Sequence, residues 1–265
     1  MYLELYGLKN SPFNLTSDPQ FFFESASHKE ALALLLYGIH EKKGIILITW
    51  EVGTGKTTLC KALLNKLPKT IKTSFLLNPY FSDVQLMQAI IEDFGLAVAK
   101  RGRLEIMKKL NSFLVETSSS GGGAVLIIDE AQNLTYRQLE QVRLLSNLET
   151  AQEKLLQIVL MGQPELFTKL KSESLRQLYQ RIAVKYTLLS LKEEELKNYI
   201  EFRLKQAGAE DVRILPESYG LIYEFSKGIH RLINMLCDRA LLFGFVKEEK
   251  MFTPEAFLAC IEELK

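Results

Sequence analysis

The hydrophobic positions change rhythm along the chain. Gly44-Ile-Ile-Leu-Ile-Thr49 and Ala124-Val-Leu-Ile-Ile128 are short unbroken apolar runs, the pattern of strands buried on both faces. Ile71–Leu77, Leu156–Met161 and Val184–Leu189 complete the predicted strands. Between them the spacing turns helical over His28–His40, Lys56–Leu67 (stopped at Pro68), Val84–Phe94, Leu104–Thr117, Arg137–Glu149 and Glu165–Leu170. Ser27 is the expected N-cap of the first helix, with Glu30 completing a capping box. Strands alternating with helices predict an α/β fold, a parallel sheet covered by helices on both faces. After Ser190 no strand is expected, and Glu193–Gln206, Pro216–Phe225, His230–Val246 and Pro254–Leu264 read as helices. This change of texture predicts an α/β domain over 1–190 and a small all-helical domain over 191–265. Residues 1–24 mix turn residues with Phe13, Phe21, Phe22 and Phe23. So many aromatics favour an irregular arm packed on the α/β body over a frayed tail.

Composition narrows the classes. A chain of 265 residues suits one or two domains. Thirty-three Lys+Arg against 32 Asp+Glu leave a formal net charge of +1, which excludes coating nucleic acid by bulk charge but not a local basic patch. Cys60, Cys237 and Cys260 share no metal-ligand spacing, and the amino terminus has no export pattern. Reduced thiols in a cytoplasm are expected. No apolar run approaches the roughly 20 residues that span a bilayer, so a membrane role is expected to run through a partner.

The candidate chemistry begins after the first strand. Trp50-Glu-Val52-Gly53-Thr54-Gly55-Lys56-Thr57-Thr58 matches the phosphate loop G-x-x-x-x-G-K-[ST] except at its first position, where Trp50 replaces Gly. Gly53 and Gly55 let successive backbone N–H groups converge on phosphate oxygens, and the following helix adds its positive end. The Lys56 ammonium suits the β- and γ-phosphates, and the Thr57 hydroxyl suits Mg²⁺. An indole at position 50 must point outward, lie over the nucleotide, pack on a neighbouring element or displace the loop, and weakened nucleotide binding is one outcome. Val125-Leu-Ile-Ile-Asp129-Glu130 is the Walker B pattern: Asp129 would hold Mg²⁺ through water, and Glu130 would polarise the attacking water.

Three further stations follow. Gln163, in Gly162-Gln-Pro-Glu-Leu166, is the candidate sensor of the γ-phosphate, against a plain helix-start turn. Arg181, with Arg176 second, is the candidate arginine finger, against a solvated basic face. Arg231, in the first turn of a helix, is poorly placed by the helix dipole and so suits an anion. His230 is expected to pack or be exposed rather than to ligate.

These stations, in this order, resemble the AAA+ ATPases, and more narrowly the ATPase domain of the general secretion pathway protein A family. The matching stretches include Leu5-Tyr-Gly-Leu8, Ser11-Pro-Phe13, Ser27-His28-Lys-Glu-Ala31, Glu51–Cys60, Asp129-Glu-Ala-Gln-Asn-Leu134, Gly162–Leu166, Leu175–Ile182 and Arg231-Leu-Ile-Asn234. The resemblance implies a nucleotide-binding α/β domain with a helical lid, ATP and Mg²⁺, and a site completed between subunits of a ring or filament. It puts Lys56 and Thr57 on phosphate and metal, Asp129 and Glu130 in the Walker B pair, Gln163 near sensor 1, Arg181 near the finger and Arg231 at sensor 2, where His230 replaces the usual proline. It implies a protein partner of a secretion, pilus or exopolysaccharide envelope system, and a cytoplasmic location reaching the inner membrane through that partner. Two alternatives stay open. One is a DNA-dependent transposition regulator, for which Lys100, Arg101, Arg103, Lys108 and Lys109 are the candidate basic cluster. The other is a degenerate scaffold, suggested by Trp50.

Overall fold

The inner strands decide the architecture. The computed structural model describes residues 2–15, 18–77, 79–97, 102–209 and 211–264. Its helices are α1 (Tyr2–Leu5), α2 (Ala26–His40), α3 (Lys56–Lys66), α4 (Asp83–Asp93), α5 (Arg103–Ser119), α6 (Tyr136–Leu145), α7 (Pro164–Leu170), α8 (Arg176–Gln180), α9 (Glu193–Gln206), α10 (Ser218–Ser226), α11 (His230–Lys247) and α12 (Pro254–Leu264). Its strands are β1 (Ile45–Trp50), β2 (Ile71–Leu76), β3 (Gly123–Ile128), β4 (Leu156–Gly162), β5 (Ile182–Leu188), β6 (Arg213–Ile214) and β7 (Met251–Phe252). The first five form one sheet in the order β2-β3-β4-β1-β5, every pair parallel. β1 and β4 are buried along their whole length and β3 from Ala124 onward, hence their unbroken apolar runs. β5 is an edge, and its residues mostly alternate between buried and exposed. The other edge, β2, is blunted where the Asp93 carboxylate of α4 accepts the Phe75 N–H at 2.6 Å.

The chain divides into two compact units. One comprises Glu30–Glu51 and Leu63–Leu188 and holds the five-stranded sheet. On one sheet face, Leu47, Leu126, Ile128, Ile158 and Leu160 share a core with Leu86 and Ile90 of α4, Leu110 of α5 and Leu139 of α6. Each such buried aliphatic side chain contributes roughly 1.5–3 kcal/mol.

The other unit comprises Met1–Lys29, Val52–Ala62 and Leu189–Lys265. Here the expected grouping of the N-terminal arm with the α/β domain is corrected. Tyr6, Leu8, Phe13 and Phe21 lie in one core with Leu196 and Tyr199 of α9, Leu236 of α11 and Phe257 of α12. The Tyr6 hydroxyl donates to the Leu241 and Glu249 carbonyls at 2.9 and 3.1 Å. The aromatics of the arm need apolar partners, and the C-terminal helices supply them. The expectation of no strand after Ser190 is corrected too: β6 and β7 pair in parallel, Arg213 with Met251 and Ile214 with Phe252. Two-residue strands leave no periodicity to read. The first long helix opens at Ala26, and Ser25 rather than Ser27 caps it, its Oγ accepting the His28 N–H at 3.3 Å. The Ser27 hydroxyl instead accepts the Leu189 N–H at 2.9 Å. Lys100 and Arg101 of the candidate basic cluster lie outside the described residues; Arg103 opens α5.

Candidate active site

Two groups of residues, one in each unit, carry the predicted chemistry. The first is the phosphate loop. Gly53 and Gly55 both adopt φ +91°, a conformation that side chains strain. Thr54 between them is buried, and Val52 is exposed. The Thr58 and Leu59 N–H groups donate to the Gly55 carbonyl, both at 3.1 Å, so Lys56, Thr57 and Thr58 form the first turn of α3. A Cβ on Gly53 would stand 2.9 Å from Ile229 and 3.0 Å from the Cβ of Arg231. Arg231 is the second residue of α11, exposed, and its backbone N–H donates to the Gly53 carbonyl at 3.2 Å. The structure therefore brings Arg231 to the loop.

On its other side the loop meets His28, whose Nε2 would lie 2.9 Å from a Cβ on Gly55. The His28 and His230 rings pack edge to face at 5.2 Å, and Tyr199 packs on His230 at 5.0 Å. Burial pushes His28 down to about 4, against the opposing pull of the nearby Thr54 carbonyl and the carboxylates of Glu195 and Glu24. Burial, then the neighbouring His28 and Arg203, push His230 down to about 3. The Ser25 hydroxyl pairs with His28 Nδ1 at 2.7 Å, while His28 Nε2 and both His230 nitrogens make no hydrogen bond. These imidazoles are neutral and pack as aromatics.

The second group sits at the carboxyl ends of β3 and β4. Asp129 follows β3 and is buried; its N–H donates to the Leu76 carbonyl at 2.9 Å, and its Oδ1 accepts the Glu130 N–H at 2.7 Å. Glu130 has φ 50°, the left-handed region, and leads into a short 3-10 turn over Ala131–Asn133. Non-glycine residues held there cost about 1 kcal/mol or more and cluster at functional sites. Gln163 follows β4, and its Nε2 donates to Glu130 Oε2 at 3.4 Å. Glu130 and Gln163 are thus brought together. Gln132 joins them: its Nε2 donates to the same Oε2 at 2.5 Å, and its Oε1 accepts the Gln163 N–H at 3.1 Å. The Lys169 ammonium donates to the Gln132 carbonyl at 3.1 Å and to the Leu134 carbonyl, and burial holds its pKa below the usual lysine range. Gln132 and Lys169 were not singled out from the sequence: the Gln132–Gln163 bond and both Lys169 bonds span more than 30 positions, and the two-residue step from Glu130 to Gln132 matches no motif by itself.

Trp50 ends β1 and is buried, paired in register with Leu188 of β5, so the side chain does not stand out from the surface. Arg181 lies elsewhere. It precedes β5, at the amino-terminal edge of the sheet, and its Nη1 donates to Asn147 Oδ1 and to Ser146 Oγ at 3.4 Å. Arg176 opens α8 and is exposed.

Comparison with known proteins gives the fold and its relatives. The family model described as an AAA domain matches residues 39–170. General secretion pathway protein A of Aeromonas hydrophila is 42% identical over 248 residues, which is 93% of this chain but 45% of that protein. The chain therefore spans less than half the length of that relative. Among solved structures, Cdc6p of Pyrobaculum aerophilum superposes with a TM-score of 0.71 at 17% identity, covering 97% of this chain and 71% of that one. The ADP form of ORC2 from Aeropyrum pernix gives 0.69 at 16%, covering 97% and 73%. The RuvB Holliday junction branch migration motor of Thermotoga maritima gives 0.57 at 19%, covering 92% and 73%. At these identities the structures speak for the fold alone. With the parallel sheet and the family match in agreement, residues 39–170 carry an AAA domain, the fold is that of the AAA+ P-loop proteins, and the chain is similar to general secretion pathway protein A.

Proposed function

We propose that the chain binds Mg·ATP and hydrolyses it, working as an assembly of several copies that serves a protein partner in an envelope or secretion system. The observation that carries this reading is the loop itself: two glycines at φ +91° leading into the first turn of α3 with Lys56 and Thr57. Backbone N–H groups along Val52–Thr58 would hold the phosphates, and the Lys56 ammonium would neutralise them. The Thr57 hydroxyl and the Asp129 carboxylate are each a hard oxygen donor of the kind Mg²⁺ prefers, so their chemistry suits that ion. Bound there, Mg²⁺ would supply charge neutralisation at the phosphate oxygens. Glu130 would take the proton of the attacking water, Gln163 would orient that water, and Arg231 would bind phosphate from the start of α11. The name of the Aeromonas relative supports a secretion partner. No described helix is long and apolar enough to cross a membrane.

The test is a Mg·ATP titration followed by the fluorescence of Trp50, the single tryptophan, with calorimetry alongside. Lys56→Ala should abolish binding. Glu130→Gln should bind ATP like the parent and lose turnover by roughly 10²–10⁴-fold. Unchanged affinity in Lys56→Ala would remove the loop from the site, and parental turnover in Glu130→Gln would remove Glu130 as the base. A parent that binds no ATP by either readout would leave the scaffold reading in its place.

A further inference from the structure

We infer that Gln132 is a positioning residue for hydrolysis, clamping the Glu130 carboxylate to the segment that carries Gln163. This rests on the ATPase reading above. The orientation of the amide is settled by its partners. A carboxylate oxygen accepts only from Nε2, and a backbone N–H is accepted only by Oε1. Gln132 meets both, at 2.5 Å to Glu130 Oε2 and 3.1 Å to the Gln163 nitrogen. One side chain thereby bridges the residues that follow β3 and β4, the two neighbouring strands that end at the proposed base and the proposed sensor.

The surroundings support that placement. A Cβ on Gly162 would fall 2.8 Å from Gln132 Oε1, so only glycine there leaves room for the bridge. The backbone of Gln132 is itself held, because the Lys169 ammonium takes up its carbonyl and that of Leu134. The turn that these contacts fix is the one in which Glu130 holds φ 50°, a conformation that persists only where neighbours over-determine it. A base must be aligned with its water to be effective, and the amide removes one rotational freedom of the carboxylate.

Two variants test this. Gln132→Leu keeps a forked side chain, one bond shorter, and removes both hydrogen bonds. Gln132→Glu keeps the shape and replaces the donor with an acceptor of like charge to Glu130. Both should lower kcat by about tenfold or more while leaving the KM for ATP within about twofold of the parent, since the lost interaction acts on the transition state. In the Glu130→Gln background, single-turnover rates should fall less than about twofold on adding Gln132→Leu, because a residue acting through Glu130 has nothing left to position. Parental kcat in both variants overturns the inference, as does an undiminished loss in the Glu130→Gln background.

A readout independent of turnover separates the two ideas. The Gln132 side-chain amide resonance, assigned by its disappearance in Gln132→Leu, should move in Glu130→Ala. If the parent turns over no ATP, the ATPase reading fails, yet a moved resonance upholds the clamp. A resonance unmoved in Glu130→Ala overturns it whatever the activity.

Discussion

His28 and His230 are buried ring against ring, and this gives stability a pH dependence. Both imidazoles are buried and held neutral, at about 4 and about 3, against roughly 6.5 in an unfolded chain. Above pH 6.5 both states are neutral and the pair contributes its full packing. As the pH falls from 6.5 towards 4, the unfolded chain takes up protons that the folded chain refuses. Stability therefore rises with pH across this window and falls on acidification, by at most roughly 1.4 kcal/mol per pH unit for each histidine. Urea unfolding at pH 7, 6, 5 and 4.5 should show this slope, and His230→Phe should flatten it. A slope unchanged by His230→Phe would place the pH dependence elsewhere. Sequence reasoning foresaw a packed or exposed His230 but not its contact with His28, since 202 positions separate the two.

At the scale of elements, one buried cation ties the arm to α9. Arg203 is buried; its Nε donates to the Pro12 carbonyl at 2.5 Å, Nη1 to the Tyr199 hydroxyl at 3.1 Å and Nη2 to the Asn14 carbonyl at 3.3 Å. Its guanidinium also lies 5.1 Å from the centre of the Phe21 ring. Removing it strands two carbonyls and opens a void between arm and helix. Arg203→Ala should destabilise the unit by roughly 3 kcal/mol, and Arg203→Lys, which keeps the charge but not the fork, by about half of that. Thermal melts measure the loss, and limited proteolysis within residues 2–15 should quicken in step. Melting temperatures equal to the parent's in both variants would mean that the aromatics hold the arm by themselves. The inner strands were legible because burial on both faces writes unbroken apolar runs such as Ala124–Ile128. The phosphate-loop and Asp129-Glu130 patterns stood out because the chemistry they suggest uses adjacent residues. What escaped was written at long range: the arm's true partners, the Gln132 bridge, and β6 with β7. The helix start escaped for another reason. Ser25 and Ser27 are chemically equivalent caps, and the His28 N–H taken by Ser25 and the Leu189 N–H taken by Ser27 separate their roles.

At the scale of the whole molecule, Arg181 makes a case for action between copies. Its partner in register space is the amino end of the sheet, since Ile182 pairs with Ile45 at the start of β1. Asp129 and Glu130 follow the carboxyl end of β3. Seven residues of β5 at about 3.3 Å each set these edges roughly 20 Å apart. An arginine that far from its own Glu130 would reach a reacting phosphoryl group only in another copy. The structure shows it parked on Asn147 and Ser146, exposed at the surface. If it serves as a finger, Arg181→Ala should lose turnover by about 10³-fold while keeping ATP affinity, the magnitude such guanidinium groups supply. Lys56→Ala should be inactive through loss of nucleotide. Mixing the two inactive proteins should restore turnover, because a Lys56→Ala copy still offers its Arg181 to the intact loop of an Arg181→Ala neighbour. Restored activity should grow with total protein concentration, as expected of a site completed by assembly. Co-sedimentation of differently tagged chains establishes that the mixture forms. Silence in a mixture proven to co-assemble would rule out action in trans. Parental turnover by Arg181→Ala alone would show that the residue only fastens the start of β5 to the end of α6.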